Sequence, residues 1–90
     1  MATVFIPSLM QNLSDGAARV VVDGNSVRKI IDGLEDVHPG FKARLLDNRG
    51  RIKPNISVAV DGEVSEIGIL ERVSPNSEVH FLPAIAGGSF

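Results

Sequence analysis

Gly87-Gly88, followed by Ser89-Phe90, is the part of this 90-residue chain whose residue types are most suggestive of chemistry. Lacking Cβ atoms, the two glycines enter conformations closed to other residues and can thread a channel too narrow for a side chain. A mobile reactive tail is therefore expected here. The other candidates are weaker. The chain has no cysteine, which excludes a thiolate nucleophile, a disulfide framework and a cysteine metal site. His38 and His80 fall on separate elements without a carboxylate cluster around them, so neither metal nor acid–base work is expected of them. Ser8, Ser14 and Ser89 lack the glycine-framed turn that exposes a serine nucleophile. A chain with a presentable tail and no catalytic group is expected to be acted upon.

Such a tail needs a rigid body to hold it out, and the sequence supplies one. Thr3–Ile6 is β-branched and apolar and is closed by Pro7, which has no N–H to continue a ladder. Residues 18–23 resume an extended pattern after a turn-rich stretch, Ser8–Gly16, so an antiparallel β-loop-β unit is expected. Ser26 is a good helix cap. After it Val27, Ile30, Ile31, Leu34 and Val37 recur at helical spacing and predict one buried face, with Arg28, Lys29, Asp32, Glu35 and Asp36 on the solvated side. Gly33 within that helix suggests a close approach to a sheet, and His38-Pro39-Gly40 ends it. Phe41–Leu46 alternates well enough to be read as a third strand. Ile56–Val60 is the next strand, and Asp61-Gly62 predicts a tight hairpin with a short return through Ile67. A helical turn is expected near Leu70. Glu78–Leu82 is the last strand, with Val79 and Phe81 on one face and His80 and Leu82 on the other.

The totals bound the function. Ninety residues fill one domain. Residues 1–83 form it and 84–90 are the tail. A net charge of −2 leaves no cationic footprint for nucleic acid. Neither a signal peptide nor an apolar run of about 18 residues is present, so a cytoplasmic protein without membrane association, monomeric when free, is expected. The order β-β-α-β-β-β fits the α+β class. A β-grasp (ubiquitin-like) arrangement satisfies it: a mixed four- to five-stranded sheet with one main helix packed across it, the first and last strands parallel neighbours at the centre.

Several segments in order, His38-Pro39-Gly40-Phe41, Asp47–Gly50 followed by Ile52, Asn55–Gly62 and the closing Phe81-Leu82-Pro83-Ala84-Ile85-Ala86-Gly87-Gly88, resemble the ubiquitin-like sulfur carriers of the ThiS/MoaD family. The branch they look most like carries sulfur for cysteine or homocysteine biosynthesis. Two departures stand out: Pro75-Asn76-Ser77-Glu78 replaces a Gly-Asp turn, and Ser89-Phe90 extends the chain past the diglycine, where mature carriers stop.

The resemblance implies a precursor. Ser89-Phe90 would be removed by a zinc-dependent JAMM-type metallopeptidase, the zinc belonging to the peptidase. An E1-like enzyme would then adenylate the Gly88 carboxylate with ATP, and a sulfur donor would convert it to a thiocarboxylate for a sulfur-accepting biosynthetic enzyme. No cofactor is expected on the chain itself. His80, Leu82, Pro83 and Ile85 are the expected docking residues. The same tail chemistry serves thiamin, molybdopterin and siderophore pathways, and a ubiquitin-like modifier or interaction module is the rival class.

Overall fold

The helix predicted from apolar spacing runs from Val27 to Val37 (α1) in the computed structural model, which describes residues 1–83. Ser26 caps it from extended backbone, its Oγ accepting the Lys29 N–H at 3.2 Å. Val27, Ile30, Ile31 and Leu34 are fully buried. Val37, expected on the same face, is instead 58% exposed, because it stands at the edge of the apolar arc in the last turn. At Gly33 a Cβ would overlap Val22 Cγ1, so glycine is what lets the helix lie this close to the sheet.

His38, ahead of Pro39, leaves the helical region, and Gly40 at φ 115° redirects the chain into a second short helix, Phe41–Leu45 (α2). This corrects the strand expected over 41–46. Phe41 and Leu45 satisfy alternation and also a four-residue helical spacing, and both are buried. Glu35 favours the helix: its carboxylate accepts the N–H groups of Gly40 at 3.2 Å and Lys42 at 2.8 Å, satisfying donors that helix geometry leaves open. Lys42 then pairs with Asp32 at 2.7 Å, fastening α2 to α1.

Five strands form one sheet: Ala2–Phe5 (β1), Arg19–Val22 (β2), Ile56–Val60 (β3), Glu63–Val64 (β4) and Glu78–Pro83 (β5), in the order β2-β1-β5-β3-β4. β1 is antiparallel to β2 and parallel to β5, with Thr3 beside Glu78 and Phe5 beside His80. The parallel central pair and the antiparallel opening unit are thus as expected. The turn-rich stretch between β1 and β2 holds a 3-10 helix, Ser8–Ser14, where a loop was expected. Its Met10 and Leu13 pack against the core, and buried Ser14 places Oγ 2.7 Å from Ala17 O, so the segment is a lid on the sheet's end. The hairpin at Asp61-Gly62 forms, although β4 stops at Val64 instead of reaching Ile67. The turn near Leu70 is a 3-10 helix, Gly68–Leu70.

The core lies between the sheet and the two helices. Val4, Val20, Val22, Val58, Val79 and Phe81 meet Ile30, Ile31, Leu34, Phe41 and Leu45 there. With apolar burial worth roughly 25 cal/mol per Å2, this single layer supplies most of the drive to fold.

Candidate functional site

β5 is the element that fixes where the tail begins. It pairs with β1 on one side and with β3 on the other, and the β3 register runs from Val60 beside Val79 to Ile56 beside Pro83. The sheet therefore holds the chain up to Pro83, the last described residue. Of the expected docking residues, His80, Leu82 and Pro83 come together at this root. Gly87, Gly88, Ser89, Phe90 and Ile85, together with the 84–90 boundary, lie outside the described residues.

Strand alternation decides which side chains surround the root. Val79 and Phe81 point into the core, leaving His80 half-buried and Leu82 41% exposed on the other side. His80 stacks on Phe5 of β1, ring centroids 4.2 Å apart and planes 3° from parallel. The cross-strand register that sets Phe5 beside His80 makes the stack possible. Glu78 Oε1 lies 3.9 Å from His80 Nε2.

A groove of about 210 Å3 runs beside the root, between the 3-10 helix and the start of β3. Leu9, Met10, Ile56, Leu82 and Pro83 give it apolar walls, and Arg44 and Lys53 stand on it. Leu9 is 82% exposed on the 3-10 helix Ser8–Ser14. Sequence reading missed Phe5, Leu9, Met10, Arg44 and Lys53. Phe5 was open to discovery, since alternation in β1 sets it opposite Val4 and Ile6; the others are gathered only by the tertiary fold.

The opposite end of β5 is polar. Asp61 accepts the Ser77 hydroxyl at 2.7 Å and the Glu78 N–H at 2.9 Å, tying the β3–β4 turn to the start of β5. The Glu78 N–H and then the Ser77 hydroxyl hold the Asp61 carboxyl below the ordinary aspartate range. Asp47 is lowered likewise by the N–H groups of Arg51 and Arg49, and Asp32 by its hydrogen bond from Lys42.

Among the described residues, no three His, Cys, Asp or Glu side chains gather to hold a metal, and no helix is long and apolar enough to cross a membrane. What the described residues offer is a surface around Pro83, where the chain leaves the sheet.

No protein-family model matches the chain. The sulfur carrier protein CysO of Mycobacterium tuberculosis is 28% identical over 90 residues, covering 96% of this chain and 97% of that protein. A chain of the Amycolatopsis orientalis BexX/CysO complex superposes with TM-score 0.87 at 34% identity, covering 98% of this chain and all of its own. Mycobacterium tuberculosis CysO gives TM-score 0.88 at 25% identity, covering 94% of this chain and all of its own. SAMP1 of Haloferax volcanii gives TM-score 0.72 at 26%, covering 97% of this chain and 98% of its own.

Proposed function

Because the chain belongs to the ubiquitin-like sulfur carriers of the ThiS/MoaD family, close to CysO, we propose that Gly88 is its sulfur-bearing residue and that Ser89-Phe90 is a removable block. It is a carrier protein and not an enzyme. The observation that carries the reading is the sheet-held root at Pro83, five residues before Gly88. Residues 84–88 span at most about 17 Å when extended, enough to bring Gly88 into a partner's active site while the body stays outside.

The chemistry proceeds in three balanced steps. Water hydrolyses the Gly88–Ser89 peptide bond, giving the Gly88 carboxylate and the Ser89 amine; the zinc of a JAMM-type peptidase supplies the activated water. A carboxylate oxygen then attacks the α-phosphorus of ATP on an E1-like enzyme, and pyrophosphate leaves. Sulfide attacks the acyl carbon, AMP leaves with the bonding pair, and Gly88 ends as a thiocarboxylate. Its sulfur passes to an enzyme building cysteine or homocysteine, in line with the CysO relatives. His80, Leu82, Pro83 and Ile85 form the docking edge around the tail in this reading. Work in the cytoplasm, where ATP and reduced sulfur are at hand, fits it.

The test is intact mass of the full-length chain and of a chain ending at Gly88 after incubation with the activating and sulfurating enzymes of the same source. Only the shorter chain is expected to exchange one oxygen for sulfur. Equal modification of both overturns the blocking role of Ser89-Phe90. The likeness to SAMP1 favours one second reading, a protein modifier whose Gly88 is joined to amines; an isopeptide on Gly88 recovered from cells would select it.

A further inference from the structure

The groove beside the root has two features that the tail chemistry leaves unused. Its walls are apolar, and the charged residues that line it, Arg44 and Lys53, are both cations. Among the described residues the lysine and arginine ion pairs amount to Lys42 with Asp32, so no carboxylate of the body answers Arg44 or Lys53.

Charge is also sorted along β5. The groove lies where β5 ends; Asp61, Glu63 and Glu78 lie where it begins, as the pairing of Val60 with Glu63 and Val79 and the Asp61–Glu78 hydrogen bond require. Arg72 stands there too, but among Asp61, Glu63, Glu66 and Glu71, so carboxylates dominate that end while Arg44 and Lys53 mark the other. Such a polarity steers encounter with an acidic surface tail-first and repels the reverse approach.

We infer that this groove docks the activating enzyme through an apolar side chain flanked by carboxylates, the side chain seated between Leu9 and Ile56 and the carboxylates facing Arg44 and Lys53. The inference rests on the reading of Gly88 above. Continuity with the root supports it: an active site within about 17 Å of Pro83 brings the surface around its entrance over the groove.

The experiment measures adenylation kinetics of the chain ending at Gly88 with the E1-like enzyme of the same source, over a range of salt. Arg44→Glu and Lys53→Glu are each expected to raise KM about tenfold while kcat holds. Leu9→Asp, at an exposed position that folding does not depend on, should do the same. Glu63→Lys, at the far end, should leave KM unchanged. The wild-type KM should climb with salt, and that of the doubly reversed chain should not. KM values within twofold of wild type for all three groove variants, with wild type adenylated, overturn the docking inference alone. No adenylation of wild type by an enzyme active on another carrier overturns the Gly88 reading and this inference together. Self-association of the free chain abolished by Arg44→Glu would assign the groove to a second copy. Groove NMR resonances that move on deleting residues 84–90 would assign it to the tail. Either result also overturns the inference.

Discussion

The two ends of β5 are secured by different means. At Glu78 the strand is clasped by hydrogen bonds to one carboxylate, Asp61, in a surround of acidic side chains; at Pro83 it is held by sheet pairing amid apolar side chains and two cations. The first end is anchored by exposed polar groups, with Val64 and Ile67 also exposed beside Asp61 and Glu63. The second is anchored by pairing and leaves apolar surface uncovered on Leu9 and Leu82, the surface proposed above for docking. Such patches mark interaction sites more often than accidents of packing. Stability and presentation are thus separated along one strand.

The largest effect on this contrast comes from what both ends share. Phe81 is buried beneath the root, and Phe81→Ala should lower stability by about 3 to 5 kcal/mol, read from the denaturant midpoint. A midpoint near wild type would mean that the root is held by pairing alone. Acid should act on the Asp61 clasp at the other end and on two carboxylates elsewhere in the body. Asp61, Asp47 and Asp32 all have lowered folded pKa values, so their contribution is present above the unfolded value of about 3.9 and is lost as pH falls through the folded ones. Thermal midpoints should drop below about pH 4, and Asp61→Asn should flatten part of that drop; an unchanged slope would remove the clasp from the account. The smallest effect is expected at Leu82. Being 41% exposed on the side away from the core, Leu82→Ala should shift stability by no more than about 0.5 kcal/mol. A larger loss would make the docking edge part of the core.

Local rules carried the sequence reading far where one signal dominated. Ser26 as a cap, Asp61-Gly62 as a hairpin and the helical recurrence through Leu34 all depend on neighbours within a few residues. The parallel pairing of β1 with β5 was legible because one amphipathic helix and few connections leave little other topology open. Phe41–Leu46 was misread because Phe41 and Leu45 satisfy both periods, and the carboxylate that selects helix, Glu35, sits on another element. The facing of the last strand was legible, since alternation alone turns His80 and Leu82 away from Val79 and Phe81. The groove was not, for it joins residues 9 and 10, 44, 53 and 56, and 82 and 83, which no local pattern links.

The pairing of Thr3 with Glu78 also has a meaning in time. The strand that divides the sheet is synthesised after the other four described strands, so β1 and β2 emerge with one edge unpaired and α1 with only part of its partner surface. Closing a loop across nearly the whole chain carries a large entropic cost and slows folding. The body can therefore complete itself only when residues 78–83 are free to insert, and until then the growing chain displays the open edge of β1 to whatever chaperone or neighbouring strand it meets first.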